Sequence, residues 1–376
     1  MLLTFPFPAK LFPSLVWAML VLSGCGSKQG PARSLTLAGR VDSLLKMAPD
    51  FSGVILLAEK GTAVYHKAFG YRDFRAKTPL DTADIFELAS LSKSFTAMTI
   101  MMLKEEGRLE YDDPVEKYLP GFPYPGISIR NLLNHTSGLP DYMKIMDQYW
   151  DKSKVAGNDD IIEYLKEYHP VKLFEPGEKF AYSNTGYVLL ASIAEKASGK
   201  DFISFCRTKI FSPLEMTSTD IRTPVEKSRI SNFTSGSVWI PEKGQFLPAD
   251  SFPSSNYNVW LGARKGPGRI SSTSSDLLKW DQALYSEKLL RQNTLADAYI
   301  PVKLKNDSLS DYGFGWMLRP TEHEGKVVYH TGDNPGYLTE IIRYLDRNET
   351  IIVLCNNAHP KFNNLANGLQ QIILEK

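Results

Sequence analysis

The sequence predicts an α/β (α+β) fold, in which an antiparallel sheet built from both chain ends is flanked by helices and a mostly helical subdomain is inserted between them. Three observations carry this. Runs rich in β-formers, residues 53–59 and 62–68, lie near the start and meet at Lys60-Gly61, a hairpin junction. Comparable runs return at the end, over 312–318, 326–330, 338–345 and 350–354, the last two around Asp346-Arg347-Asn348. Between them the apolar period changes to that of helices. Strands at both ends must pair across the insertion, which leaves a crevice between sheet and helices.

Residues 1–24 read as a lipoprotein signal peptide. Lys10 is the basic start, residues 11–22 form an apolar run interrupted at Pro13 and Ser14, and Leu22-Ser23-Gly24-Cys25 closes it. That run is too short to cross a hydrocarbon core of about 30 Å, which takes about 20 helical residues. The small residues before Cys25 resemble a bacterial lipobox, whose cysteine is lipidated and becomes the new N-terminus. A plain secretory signal, with Cys25 incidental, is the other reading. Residues 25–34, polar with Gly26, Gly30 and Pro31, read as a tether. The domain is expected over 35–376, its α/β part at 35–89 and 266–376 and its helical part at 90–265. The expected location is the bacterial cell envelope, with the body facing the periplasm or exterior and the membrane touched only through the lipid anchor.

Within the domain, residues 38–47 have helical periodicity through Val41, Leu44 and Leu45. From Ser90 to about Arg108, Phe95, Met98 and Met102 share one face, and Gly107 stands where a left-handed cap belongs. Asn158-Asp159-Asp160 can cap a helix that Pro170 ends. Residues 184–197 are amphipathic and closed by Gly199, residues 275–285 form another helix, and a last one ends near Lys376.

Composition narrows the chemistry. The 376 residues carry 43 Lys+Arg against 42 Asp+Glu, so there is no electrostatic footprint for nucleic acid or an acidic membrane surface. Three cysteines without a CxxC pair exclude a disulfide scaffold and a structural zinc site, and Cys206 and Cys355 sit in apolar runs as core thiols do. HExxH, Walker A, GxGxxG and GxSxG are all missing, and the six histidines form no i,i+4 pair. No metal or other cofactor is expected.

One nucleophile pattern remains. In Ser90-Leu91-Ser92-Lys93, Ser90 and Lys93 are three apart at a helix start, so their side chains can meet. Serine needs an adjacent base, and a lysine shielded from water loses its charge and can supply one. Ser92 is off that face. A second match, Ser43-Leu44-Leu45-Lys46, has no chemistry around it. Tyr182-Ser183-Asn184 precedes a helix: a phenol near a lysine can pass a proton, and an amide can orient both lysine and substrate. Alone, Tyr182 fits a core or turn position equally well. His330-Thr331-Gly332 ends a strand whose edge can pair with an extended substrate, and the next N–H, that of Asp333, can join that of Ser90 in an oxyanion hole. A lone histidine at a strand end is usually structural.

These phrases occur in order with Leu132-Leu133-Asn134-His135-Thr136-Ser137-Gly138-Leu139-Pro140, Phe180-Ala181-Tyr182-Ser183-Asn184-Thr185-Gly186-Tyr187, Pro213-Leu214-Glu215-Met216-Thr217, Ser271-Ser272-Thr273-Ser274-Ser275-Asp276-Leu277 and Pro335-Gly336-Tyr337. Over residues 35–376 the combination resembles the serine β-lactamase/DD-peptidase superfamily, in particular its class C-like, penicillin-recognising branch. The resemblance implies that Ser90 is the acylated nucleophile, Lys93 its base, Tyr182 the proton relay and Asn184 the orienting amide. It places His330 at the third motif's basic position, Thr331 and Gly332 on the substrate-binding strand, and an oxyanion hole at the N–H groups of Ser90 and Asp333. The loop around His135 is expected to be structural. Class C β-lactamases usually carry Lys-Thr-Gly where this chain has His-Thr-Gly, and Asp333 replaces a commonly small residue, which weakens anion binding. The implied activity is a serine hydrolase working through an acyl-serine on ester or D-amino-acid amide substrates. The alternatives are a class C-type β-lactamase and a non-catalytic penicillin- or cell-wall-binding lipoprotein. The expected partner is a small-molecule or peptide substrate, with specificity in loops at about 145–160 and 225–265.

Overall fold

The computed structural model describes residues 35–254, 256–319 and 323–375; the expected signal peptide and tether, Cys25 included, lie outside the described residues. In chain order the main elements are helix α1 (Leu37–Leu45), strands β1 (Gly53–Glu59) and β2 (Thr62–Phe69), and helices α2 (Ser92–Glu105), α3 (Asn158–Tyr168), α4 (Asn184–Ser198) and α5 (Ser274–Ala283). Strands β3 (Met317–Arg319), β4 (Val327–Asn334), β5 (Tyr337–Tyr344) and β6 (Glu349–Cys355) and helix α6 (Phe362–Leu374) complete it. The antiparallel sheet has the order β3-β4-β5-β6-β1-β2. Its centre is where the chain ends meet, with β1 and β6 in register from Gly53↔Cys355 to Glu59↔Glu349. Lys60 and Gly61 both take positive φ, +48° and +78°, as a two-residue hairpin requires.

The continuous apolar run of β1 follows from coverage of both sheet faces. Val54, Leu56 and Ala58 join Ile341, Ile352 and Leu354 in a core with Phe95 of α2 and Trp280 of α5, whose rings stack 4.1 Å apart. Ile55 and Leu57 face the other way, with Ile342, Ile351 and Val353, onto Val41 of α1 and Phe362, Leu369 and Ile373 of α6. Burying one such side chain stabilises the fold by roughly 1.5–3 kcal/mol. Arg343 of β5 and Asp281 of α5, both fully buried, pair at 2.5 Å; Thr350 donates to the same carboxylate at 2.8 Å and Arg343 donates to the Tyr299 hydroxyl at 2.7 Å. Cys206 and Cys355 are free, buried, and belong to different core clusters. No helix among the described residues is long and apolar enough to cross a membrane.

Four expectations are corrected. Residues 312–318 are mostly not a strand: Gly313 and Gly315 mark close approaches, since a Cβ would meet the Ala298 carbonyl oxygen at 1.9 Å and the Lys93 carbonyl oxygen at 2.7 Å. The strand expected to stop at His330 continues to Asn334, because β5 pairs with it throughout, so His-Thr-Gly is mid-strand. The helix expected from Ser90 begins at Ser92, preceded by a 3-10 turn, Ala89–Leu91. Of the expected cap Asn158-Asp159-Asp160, Asp160 does cap α3, accepting the Gly157 N–H at 2.8 Å, whereas the buried Asn158 amide instead donates to Val188 O at 3.0 Å and accepts the Lys265 N–H at 2.7 Å, tying the 265 loop to α3 and α4.

Candidate active site

A small three-stranded sheet, with Ile270–Ser272 between Phe86–Glu87 and Asp220–Ile221, delivers the chain to Ser90 and brings Gly266 and Pro267 beside α2. Ala89 is left-handed at φ +50°, a strained conformation that turns Ser90 into the cleft. Ser92 points inward and accepts the Ile270 N–H at 3.1 Å, so it is a structural tie. Ser43, on the exposed side of α1, bonds back to Gly39 O at 2.8 Å.

Lys93 is fully buried one turn after Ser90. Its Nζ lies 3.0 Å from Ser90 Oγ, 2.8 Å from Asn184 Oδ1 and 2.9 Å from Pro267 O. Burial, then the nearby Arg264 cation, push this amine well below the usual lysine range. That shift favours release of a proton, and an amine that has released one offers a lone pair to the Ser90 hydroxyl while Asn184 Oδ1 and Pro267 O accept its two hydrogens.

Tyr182 and Asn184 flank Ser183, the N-cap of α4, whose side chain accepts the Gly186 N–H at 3.2 Å. That cap fixes Asn184 as the first helical residue, turned to Lys93. The Tyr182 ring is 39 % exposed to the cleft, with its centroid 4.7 Å from Lys93 Nζ. Burial raises its phenol while a hydrogen bond shared with Ser90 opposes the rise, so the group is held protonated beside the Ser90 hydroxyl.

β4 forms the opposite wall. Its pairing with β3 ends at Tyr329, so the edge beyond is unpaired by strand. Alternation turns Tyr329, Thr331 and Asp333 to the cleft and buries His330, Gly332 and Asn334. Gly332 permits the contact with the nucleophile turn, since a Cβ there would meet Leu88 O at 2.2 Å. His330, which the resemblance places at the third motif's basic position, does not face the cleft. It is fully buried, its Nε2 is 2.9 Å from the Tyr312 hydroxyl and its Nδ1 2.6 Å from Thr331 O. Burial, and then the neighbouring Lys93, push its pKa down to about 3, the Thr331 carbonyl opposing. The imidazole is neutral. Among the described residues no cluster of His, Cys, Asp or Glu could hold a metal ion.

A family model described as Beta-lactamase matches residues 41–375. Penicillin-binding protein 4* of Bacillus subtilis is 45% identical over 307 residues, 81% of this chain and 68% of its own length. This chain belongs to the serine β-lactamase/DD-peptidase superfamily. An octameric penicillin-binding protein homologue from Pyrococcus abyssi superposes with a TM-score of 0.76 at 26% identity, covering 90% of this chain and 77% of that one. A D-amino acid amidase from Ochrobactrum anthropi, complexed with L-phenylalanine amide, does so at 0.71 and 25% identity, covering 90% and 99%.

In this superfamily member the cleft, about 820 Å³, takes its apolar wall from Phe180, Leu304, Leu309, Met317 and Leu318. The wall thus comes from residues 304–319 rather than from 145–160; residues 224–259 line a separate, more polar pocket of about 540 Å³ that Glu87 and Tyr337 also line. The support behind Tyr182 comes from the loop around His135, expected from the sequence to be structural. His135, buried at φ +59°, accepts the Ser183 N–H at 3.1 Å and packs its ring 4.3 Å from Tyr182 and 4.4 Å from Tyr312. Arg264, equally buried, donates to the Tyr142 hydroxyl at 2.7 Å. Arg264 had no local signal, because a buried polar residue in a loop looks like a solvated one until its neighbours are known.

Proposed function

We propose that the chain is a serine hydrolase acting through an acyl-serine on esters or D-amino-acid amides. The observation that carries the reading is the fully buried Lys93 Nζ, set 3.0 Å from Ser90 Oγ and held there by Asn184 Oδ1 and Pro267 O. The substrate carbonyl oxygen sits between the N–H groups of Ser90 and Asp333. Ser90 Oγ attacks the carbonyl carbon as its proton passes to Lys93. The tetrahedral adduct then collapses, the bond to the alcohol or amine breaks, and the leaving group takes the proton from Lys93 by way of Tyr182. Water repeats the sequence on the ester, releasing the acid and the free serine. A positioned base contributes about 10²–10⁴-fold and one oxyanion donor about 10²–10³-fold. The D-amino acid amidase and penicillin-binding neighbours support this class of substrate. Attachment by a lipid on Cys25 at the cell envelope belongs to the same proposal and rests on the Leu22–Cys25 sequence.

The test is intact-mass detection of a fluorophosphonate adduct, alongside turnover of a short acyl ester, a D-alanyl amide and a penicillin. Labelling and ester or amide turnover in the parent, both lost in Ser90→Ala, are expected. Labelling that persists in Ser90→Ala refutes the assignment. The match to a Beta-lactamase family model favours a second reading, and sustained nitrocefin turnover outpacing the ester would select it.

A further inference from the structure

We infer that Asp333 makes the cleft selective for substrates carrying a free ammonium group next to the scissile carbonyl; the inference rests on the acyl-serine reading above. Asp333 is exposed on the cleft face of β4, two residues beyond Thr331 and beside the nucleophile turn. No hydrogen bond or ion pair engages its carboxylate among the described residues, and partial burial raises its pKa with no cation pulling it down.

The remaining charges leave that carboxylate uncompensated. His330 is neutral and turned into the protein, and Lys93 is fully buried with its Nζ engaged by Ser90, Asn184 and Pro267 rather than by Asp333. Arg319 lines the far wall but donates to Gln370 Oε1 at 2.5 Å, with its guanidinium stacked over Tyr329. Asp311 adds a second negative charge to the cleft. A carboxylate-bearing substrate meets repulsion here, whereas an ammonium group meets an unpaired partner.

Covalent geometry places that partner correctly. The Asp333 N–H is one of the two proposed donors to the substrate carbonyl oxygen, so that oxygen is anchored at the same residue. An amine on the α-carbon is three bonds from the oxygen, about 3 Å away. It therefore falls within reach of the Asp333 side chain, while the apolar wall of Phe180, Leu304 and Leu309 offers room for an uncharged remainder.

The experiment compares kcat/KM for D-alanine p-nitroanilide and its N-acetyl derivative in the parent, Asp333→Asn and Asp333→Glu. Acetylation removes the charge and leaves the scissile bond in place. The parent should favour the free amine by about 10-fold or more, the scale of one charge-assisted hydrogen bond. The ratio should collapse toward one in Asp333→Asn and recover in part in Asp333→Glu. Because both substrates share the oxyanion contacts, the ratio isolates the side chain's charge. A parent that prefers the acetylated anilide, or a ratio unchanged in Asp333→Asn, overturns the inference. Parent p-nitrophenyl acetate turnover and Ser90 labelling separate the cases: with both present only the inference falls, and with both absent the hydrolase reading falls with it.

Discussion

Acid should unfold the parent more readily than a His330→Gln variant, by an amount set by the burial of one imidazole. Folded His330 has a pKa of about 3 because it is dehydrated and near Lys93; unfolded, it titrates near 6.5. The unfolded chain therefore binds the extra proton, so stability contributed by neutral His330 is full above about pH 6.5 and is lost as pH falls toward about 3. Between about pH 7 and about pH 5 the loss comes to about 2 kcal/mol, because the folded group hardly titrates in that window. Glutamine keeps a polar partner for the Tyr312 hydroxyl and cannot titrate. Urea unfolding of both proteins at the two pH values yields the difference of differences, from which every carboxylate common to both cancels. A parent excess loss of about 2 kcal/mol is expected. Equal losses, within about 0.5 kcal/mol, would refute the burial argument. They would return His330 to the role of a titrating group at the substrate.

Asp281→Ala strands the fully buried Arg343 guanidinium and should lower stability by about 3–5 kcal/mol in the same urea assay, far more than loss of an exposed pair such as Arg130–Asp112. Gly332→Ala should push β4 from the Leu88 carbonyl and cut acylation by about 10²-fold, the loss of one oxyanion donor, read as the rate of fluorophosphonate labelling. Lys93→Ala should cut fluorophosphonate labelling and ester turnover by about 10²–10⁴-fold, the contribution of a positioned base, with circular dichroism checking that the variant is folded; labelling at the parent rate would exclude Lys93 as the base. Cys25→Ala should release the protein from membranes, checked by fractionation after a salt wash, because the proposed lipid is attached to that cysteine; a variant still bound after the wash would exclude the proposal.

The elements whose signals are local were legible in the sequence. The β1–β2 hairpin was visible because Lys60-Gly61 sits between two β-rich runs, and helices α2 and α4 because their apolar residues repeat and Gly107 and Gly199 stop them. Ser90 and Lys93 were legible as a pair because three residues of helical rise bring them to one face, and the structure sets them 3.0 Å apart. Asn184 joins Lys93 across 91 residues, a contact that motif order anticipated and no spacing along the chain implies. What only tertiary structure decided was environment. Whether Lys93 is an ammonium or an amine depends on Pro267, Asn184 and Arg264 closing around it. Whether His330 faces substrate or the core depends on β4 running on to Asn334, which assigns alternate residues to opposite sides and leaves Asp333, not His330, in the cleft. A residue's type specifies what it can donate or accept; its charge state and direction are set by groups far away in the chain, because dehydration and pairing act through space.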